Sequence, residues 1–444
     1  MSPGTSAPRG EGRLVRFLLF PLRAIERARG WRRVGLLGLY AAVMIPVLAA
    51  AWRRAQLAGL PDVGDVYGTP ASQRAAGGSD DRNAFVLYQK AARRYREMNR
   101  AEGKSFSKAD HRWSAADATF RGWVADNREA VGLLREGSKR PEASLSASNP
   151  VEQAEVVQRI SWIADAALFE AGRLREEGDP VAAWATLRAA VRASRDMERA
   201  LPTSWTQTTA MTTIQFARGP VAEWAKDRSV DVAMLRRALD DLVAIESLTP
   251  PLSQFYRGEY RAADRALENP GPMIAERARH LAEAGSFDLA VYAPSLDAYL
   301  RGEPERSRRI LRLLAVNDLA WCDRPAFDRP EMAVPRLRIY RAASAPPEAR
   351  AISPEDLARL AATVLFDPAP GWRTGDLEKW DRNDRWSMGQ LLEGVAVELY
   401  AREMGHPPAS AAEALRRYRP IPGDSPDRDE SRPLSDPDAP RPSQ

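Results

Sequence analysis

The sequence predicts an all-α fold, with one apolar helix near the N-terminus and a long helical region after it. From residue 81 onward, apolar residues recur at helical spacing, and caps, prolines and glycines separate the periodic segments. Short alternating runs bounded by turn pairs, which are typical of strands, are absent from the sequence. Before this region lies a stretch of 19 residues without a charge, 34–52. We therefore expect helices to form the whole architecture.

The uncharged stretch 34–52 has the length of a membrane-spanning helix. About 20 residues, at about 1.5 Å each, cross roughly 30 Å of hydrocarbon. Trp31 and Trp52 flank the stretch, and indole rings favour the two membrane interfaces. A core helix of a soluble domain would show a polar face, and a signal peptide would have a shorter leader. We expect a retained transmembrane helix in the lipid bilayer, and cleavage of this segment stays open as the alternative.

Arginines are concentrated on the N-terminal side of the apolar stretch. Only Arg53 and Arg54 follow it within the next 20 residues. Eight arginines precede it: Arg9, Arg13, Arg16, Arg23, Arg27, Arg29, Arg32 and Arg33. Since cytoplasmic flanks carry the excess of basic residues, the N-terminus is predicted to be cytoplasmic and the C-terminal part exported. The expected location is the inner (cytoplasmic) membrane, in a single-pass arrangement.

The basic leader, residues 1–33, has two interpretations. Its apolar residues can share one helical face with arginines on the other, which predicts an amphipathic helix. The arginines of such a helix would contact anionic lipid headgroups near residues 13–33. Pro21 interrupts that helix, so an unstructured leader that only sets the topology is the other interpretation.

The net charge of the chain comes from its N-terminal region. The whole chain carries a formal charge of +5 at pH 7. Residues 1–54 contain ten arginines against two glutamates, which is +8 and leaves −3 for the remainder. The basic residues thus belong to the anchor and not to a surface for nucleic acid, so we predict no nucleic-acid partner.

Cysteine and histidine are scarce in this sequence. Cys322 is the single cysteine, so an intramolecular disulfide is excluded, and its apolar neighbours predict a buried, unreactive thiol. Glu276, His280 and Glu283 would share one helix face, which could offer metal ligands, but such charged residues are more typical of a solvated face. Because no catalytic motif is found, we predict no catalytic residue, no metal and no cofactor.

Composition and periodicity divide the rest of the chain. The expected segments are a flexible Gly- and Pro-rich linker at 53–80, a domain of helical hairpins at 81–345, a C-terminal helical module at 346–422 and a disordered tail at 423–444. Together with the leader and the apolar helix they account for the whole sequence.

One hairpin within 81–345 shows clear start and stop signals. Asn149 and Pro150 predict a helix start. Gly178 predicts its end, and Asp179 with Pro180 an immediate restart, so that the two helices are antiparallel neighbours. Small residues in this hairpin resemble a tetratricopeptide unit, but a shift by the usual tetratricopeptide period does not reproduce them. We expect an irregular stack of antiparallel hairpins that is tetratricopeptide-like in part.

Two further helix starts are predicted from capping boxes. Ser114 with Asp117 has the spacing of such a box, and Ser410 with Glu413 has it again after Gly405. Gly405 itself predicts the end of a long helix, since glycine readily adopts the left-handed conformation found there.

Three stretches resemble a family of uncharacterised bacterial single-pass membrane proteins with helical exported domains. They are LPDVGD at 60–65, DDRNAFVLYQKAARRY at 80–95 and GEPERSRRILRLLAVNDLAWCDRP at 302–325. The resemblance covers most of residues 55–422. It implies a helical exported domain, and it brings no activity and no site residues.

The stretch VELYAREMGHPPASAAEAL, 397–415, is similar to a part of the type II secretion pseudopilins. In those proteins a long helix ends as Tyr-x4-Gly-x-x-Pro, and the matching residues here are Tyr400, Gly405 and Pro408. Pseudopilins also have a glutamate near the start of their apolar helix, whereas residues 34–52 contain none. The similarity is therefore confined to this C-terminal stretch.

The segment GWRTGDLEKWDRNDRW, 371–386, combines tryptophans with charged residues. Indoles beside carboxylates and guanidinium groups can form a platform for a saccharide or a peptide. The other interpretation is that the indoles pack beneath neighbouring helices while the charges stay solvated. The residues predicted to contact a ligand or partner are Trp372, Trp380, Arg382, Asp384 and Trp386.

The sequence thus predicts a membrane-anchored, exported helical protein that acts by contact. Its expected role is that of an interaction or assembly-supporting module for an unknown protein partner, without catalytic activity. The alternative is an exported enzyme or ligand-binding protein that acts on cell-envelope material, with its site near 371–386. Convergent histidine, serine or paired carboxylates in one pocket would favour the enzyme, and an aromatic-lined groove would favour the binder.

Overall fold

The computed structural model describes most of the chain between residues 25 and 419. The described ranges are 25–26, 28–68, 80–109, 112–145, 150–268, 303–324, 332–334, 339–340, 352–362 and 376–419. The chain forms two compact units. The first comprises Met1–Gly68 and Glu259–Thr374, and the second comprises Thr69–Gly258 and Gly375–Gln444.

The described residues confirm the predicted all-α class. They form fourteen α-helices: α1 Trp31–Ala58, α2 Ala84–Arg94, α3 Arg100–Ala109, α4 Ala118–Asp126, α5 Arg128–Gly137, α6 Pro150–Glu176, α7 Pro180–Ala200, α8 Ser204–Lys226, α9 Val232–Glu246, α10 Leu252–Glu268, α11 Glu303–Cys322, α12 Pro354–Ala362, α13 Asp376–Met404 and α14 Ala411–Tyr418. Two short strands, β1 Met332–Val334 and β2 Ile339–Tyr340, pair in an antiparallel ladder. Sequence analysis did not identify them, because segments of two and three residues are too short to show an alternating pattern.

The turn between α6 and α7 has the geometry that its sequence predicts. Gly178 has a φ of +84°, in the left-handed region that favours glycine. Asp179 is the N-cap of α7, and its side chain accepts a hydrogen bond of 2.9 Å from the amide of Ala182. Pro180 occupies the first helical position, where no donor is needed. The two helices pack against each other along their length, as expected for such a short connection.

Helix α7 lies at the centre of the second unit. It packs against α5, α6, α8 and α9, and buried residues occur on all sides of it, including Trp184, Leu187 and Ala190. A helix that is buried all round normally contains apolar residues throughout. Helix α7 instead has charged residues in its C-terminal half, and these find partners on several neighbouring helices.

Helix α13 belongs to the second unit and not to a separate C-terminal module. It packs against α8 and α9, and its buried residues, such as Met388, Leu391 and Val395, recur at helical spacing on one face. The sequence analysis placed a domain boundary at 345/346, whereas the structure places residues 376–419 in the same unit as the hairpin helices. The reason is that these residues pack against helices that are distant in sequence. The predicted tail, 423–444, lies outside the described residues.

Helix α1 in the first unit covers the apolar stretch 34–52 and extends it at both ends. Large apolar side chains along it are exposed, among them Leu39 at 64%, Ile45 at 66% and Leu48 at 61%. In the described part of the chain, no helix combines the length and apolarity needed to cross a bilayer.

The segment that follows α1 is packed against the rest of the first unit. Leu60 and Tyr67 are buried, and the ring of Tyr67 stacks on Tyr260 of α10 with centroids 6.4 Å apart. Sequence analysis predicted a flexible linker over 53–80. The structure differs for residues 53–58, which belong to α1, and for residues 57–68, because side chains of α10 and α11 hold them. Residues 69–79 lie outside the described part.

Candidate functional site

The helical phase of α13 separates the residues of the predicted platform. Arg382 and Trp386 lie four positions apart on the solvent side, and both are exposed. Asp384 faces the core and is 1% exposed. Trp380 is half-buried, and Trp372 lies outside the described residues. The structure therefore brings Arg382 and Trp386 together at the surface and removes Asp384 from it.

Trp386 forms the centre of an exposed patch with a residue of α8. The guanidinium carbon of Arg218 lies 5.0 Å from the centroid of the Trp386 ring, a cation–π arrangement. Arg218 Nη2 also donates to Gln390 Oε1 at 3.2 Å, which fixes its position. We call Arg218, Arg382, Trp386 and Gln390 the Trp386 patch. An exposed tryptophan with a fixed arginine is the composition that protein–protein interfaces favour at their centres.

A buried charge cluster lies on the opposite face of α13. Arg195 Nη1 donates to Asp384 Oδ2 at 2.6 Å and to Glu198 Oε2 at 2.7 Å. All three side chains are at most 2% exposed. Two carboxylates thus share one nitrogen of a guanidinium group that has no access to water.

The hydrogen bonds of this cluster are incomplete. Within the described residues, Arg195 Nε and Nη2, Glu198 Oε1 and Asp384 Oδ1 have no hydrogen-bond partner. Burial raises the pKa of Glu198 to about 8, and the attraction of Arg195 opposes this only in part. Burial also raises the pKa of Asp384. Burial thus favours the protonated form of both carboxyl groups, and the attraction of Arg195 opposes this at each of them.

A second charged group surrounds Asp196, the neighbour of Arg195. The hydroxyl of Tyr88 on α2 donates to Asp196 Oδ2 at 2.9 Å, and Arg192 Nε donates to Asp196 Oδ1 at 3.0 Å. Arg199 Nη1 donates to the same oxygen at 3.2 Å. Burial raises the pKa of Asp196 to about 6 although both arginines oppose the shift. Asp196 thus connects α7 to α2, as Arg195 connects it to α13.

Asp165 on α6 is a buried carboxylate in a different environment. Its Oδ1 has no hydrogen-bond partner within the described residues, and burial alone raises its pKa to about 7. Nearby, burial and the Asp165 charge raise the pKa of Tyr95, whose ring stacks on Trp162 at 5.7 Å. An ionised carboxylate is unfavourable in such aromatic surroundings. Ionisation of Asp165 therefore lowers the stability of the folded chain at neutral and alkaline pH.

Sequence analysis missed Arg195, Glu198, Asp196 and Asp165. The segment ASRDMERA on α7 has the charge pattern of a solvated helix face, and only the packing of four helices around α7 buries it. The sequence carried only an indirect sign that this segment is buried. Apolar or small residues occupy every face of α7 from Ala182 to Ala193, which is typical of a helix buried all round.

No metal centre is found among the described residues, where no group of three His, Cys, Asp or Glu side chains could hold an ion. Glu276, His280 and Glu283 lie outside these residues, so the metal hypothesis stays untested. Cys322 is buried, as predicted. A small cleft between α6 and α8, beside Trp113, Gly172 and Trp224, contains the ion pair Arg175–Glu223. Its lining includes no serine, cysteine or histidine that could act as a nucleophile.

The fold and the site define an all-α protein whose second unit contains a buried charge cluster and an exposed tryptophan patch. No family model, no curated protein and no solved structure matches the chain. The resemblances to single-pass membrane proteins and to pseudopilins therefore stay predictions from the sequence.

Proposed function

We propose that this protein is a single-pass membrane protein whose helical part acts by contact with another protein. Helix α1 is the anchor in this proposal, and the second unit is the interaction module. Its hairpins form an irregular, partly tetratricopeptide-like stack. The observation that carries the proposal is the exposure of the apolar side chains of α1.

The exposure of α1 contrasts with the packing of the other helices. Along α7, for example, the large apolar residues are buried except Val181, whereas Leu39, Ile45 and Leu48 of α1 are all more than half exposed. Leaving apolar surface in water costs about 25 cal/mol per Å². Hydrocarbon removes this cost, and the backbone of a helix is already hydrogen-bonded internally, as a membrane interior requires.

The full sequence of 34–52 supports the anchor further. The side chains at positions 43, 46, 49 and 50 lie outside the described residues, yet the sequence has an apolar residue or proline at each of them. Trp31 and Trp52 are 88% and 68% exposed near the two ends, where indoles favour the interfaces. The arginine excess before the stretch supports a cytoplasmic N-terminus, with arginines near residues 13–33 at anionic headgroups.

The Trp386 patch supports the contact role. Trp386 is more than half exposed, and Arg218 is held against it. The enzyme or ligand-binder alternative needs carboxylates beside the indoles of 371–386. Asp384 cannot serve there, because it is buried and paired with Arg195. The Trp386 patch itself consists of an aromatic ring, two guanidinium groups and the Gln390 amide, which suits an acidic or aromatic protein partner.

The anchor is tested by extraction of membranes with alkaline carbonate. We expect the full chain to stay in the pellet, because a spanning helix is released only by detergent. The change Leu39→Glu with Ile45→Glu should release it, since charges at the centre of a span are costly. Val181→Glu, at an apolar position of α7 with 63% exposure, is the matched control and should stay in the pellet. Release of the unaltered chain by carbonate would refute the anchor.

A further inference from the structure

Side chains of α10 and α11 hold the segment after α1 at several points. Arg309 Nη1 of α11 donates to the carbonyl oxygens of Leu57 at 3.2 Å and Leu60 at 3.1 Å. These carbonyls belong to the C-terminal end of α1 and the turn after it, where cations are favoured. Arg309 thus closes the end of α1 with a side chain that lies about 250 positions away in the sequence.

Further contacts continue this attachment toward residue 68. Arg312 Nη1 reaches Asp62 Oδ1 at 3.4 Å, and the same oxygen accepts a hydrogen bond of 3.0 Å from the amide of Gly64. Arg261 Nη2 of α10 donates to the carbonyl of Tyr67 at 3.2 Å. The Tyr67 ring is buried against Tyr260. Residues 57–68, which we call the strap, therefore contact α10 or α11 at both ends and in the middle.

We propose that the strap fixes α11 rigidly to the end of α1, so that α11 is held at one distance from the bilayer surface. This inference rests on the proposed anchor. Leu57 follows Trp52 by five residues, which is about 8 Å of helix. Arg309, which binds the carbonyl of Leu57, therefore lies close to the lipid headgroups. The Gly- and Pro-rich composition of the segment after α1 does not separate α11 from the bilayer, because the strap is held in place.

The charges of α11 indicate that the strap, and not attraction to lipid, sets this position. Arg309 also binds Glu305 at 2.8 Å. Arg308 pairs with Asp264 and Glu268, and Arg312 pairs with Asp264 as well. Since carboxylates of the same unit neutralise these arginines, the attraction of α11 to anionic headgroups is weak. The distance should therefore be the same in neutral and anionic bilayers.

The test measures the distance between spin labels in the full chain, in nanodiscs of phosphatidylcholine alone or with phosphatidylglycerol. Labels are attached at Ala51→Cys on α1 and Asp323→Cys after α11, with Cys322→Ala as background. We expect one narrow distance distribution that is equal in both bilayers. The double change Arg261→Gln and Arg309→Gln should broaden it, toward the spread of about 20 Å expected for twelve flexible residues.

Arg308→Gln is the matched control, because Arg308 lies on the same helix and pairs with Asp264 and Glu268. It should leave the distribution narrow. A broad distribution in the parent would overturn the rigid strap even where carbonate extraction supports the anchor, and loss of the parent from membranes would refute the anchor itself. If the double variant loses helicity, the strap is tested instead by comparing the width of the distance distribution in the parent with that in Tyr67→Ala. Broadening in Tyr67→Ala supports the strap, and an unchanged width contradicts it.

Discussion

Arg195 of α7 and Asp384 of α13, 189 positions apart in the sequence, form an ion pair of 2.6 Å in which both side chains are buried. The same guanidinium nitrogen binds Glu198 at 2.7 Å. This contact joins α7 of the hairpin to α13. Because burying ions is costly, such a pair adds little to stability by itself but makes the loss of one partner severe.

Removing one member of the cluster should therefore destabilise the protein strongly. Arg195→Met leaves the buried carboxyl groups of Glu198 and Asp384 without their cation, and we expect a loss of about 3–5 kcal/mol. The measurement is thermal unfolding of the detergent-solubilised chain, followed by circular dichroism. The triple change Arg195→Met, Glu198→Leu and Asp384→Leu should recover most of the loss, because it removes every charge of the cluster.

Arg382→Gln is the control for this prediction. Arg382 lies two residues before Asp384 on the same helix but is exposed, so the change should stay within about 0.5 kcal/mol. A melting temperature for Arg195→Met equal to that of Arg382→Gln would show that the cluster is not formed in solution.

Asp165 should make stability depend on pH. Its pKa is raised from 3.8 to about 7 in the folded chain, so between these values the folded state binds a proton that the unfolded state does not. The free energy of unfolding should therefore fall as pH rises through this window and level off above it. Asp165→Asn should remove the Asp165 contribution to this slope, while Asp196 and Glu198 keep theirs, and should stabilise the chain at pH 8 by a few kcal/mol, at about 1.4 kcal/mol per pKa unit.

The comparison of Asp165→Asn with the unaltered chain isolates this group from other carboxylates. Asp240→Asn, an exposed position on α9, serves as the control and should leave the pH profile unchanged. The prediction is wrong if Asp165→Asn and the unaltered chain differ by the same amount at pH 4 and at pH 8.

The turn at Gly178 should respond to backbone geometry. Gly178→Val places a β-branched residue at φ +84°, which costs on the order of 1–3 kcal/mol. Gly178→Asn should cost clearly less, because asparagine tolerates this conformation. Asp179→Ala removes the cap of α7 and should cost about 1 kcal/mol. Chemical denaturation of the three variants checks this order, and equal stability of the valine and asparagine variants would contradict it.

The Trp386 patch should matter for partner binding and not for folding. Trp386→Ala is expected to weaken capture of the partner from solubilised membranes by about thirtyfold or more, as a loss of at least 2 kcal/mol at an interface centre implies. Its melting temperature should change little. Trp205→Ala, at a tryptophan with 36% exposure on α8, is the control, and an equal loss of partner in both variants would argue against the patch.

The orientation of the anchor can be checked with a reporter at the C-terminus. Since eight arginines precede residues 34–52 and two follow closely, alkaline phosphatase fused after residue 444 should be active, because it folds only outside the cytoplasm. Moving four of the leader arginines to positions after residue 54 should lower that activity. Inactive phosphatase together with an active cytoplasmic reporter at the same place would reverse the assignment.

Local signals in the sequence determined where many helices begin and end. Gly178 and Gly405 both have positive φ at helix ends, and Ser410 caps α14 through the amide of Glu413. These features involve residues within about one turn, so neighbouring sequence suffices to predict them. One such prediction was wrong in detail. Asp117 and not Ser114 is the N-cap of α4, because Ser114 lies in the short 3₁₀ helix Trp113–Ala115.

The charge pattern and the length of 34–52 likewise came from the sequence alone, and they are the basis of the proposed topology. The tertiary structure decided which charges are buried. The sequence predicts Asp384 to be a surface carboxylate, but in the structure Arg195 of α7 pairs with it in the core. The sequence likewise predicts residues 57–68 to be part of a linker, but in the structure Arg309 binds the end of α1. Both contacts join segments nearly 190 or more positions apart. Their formation depends on how all the helices pack, which no local pattern specifies.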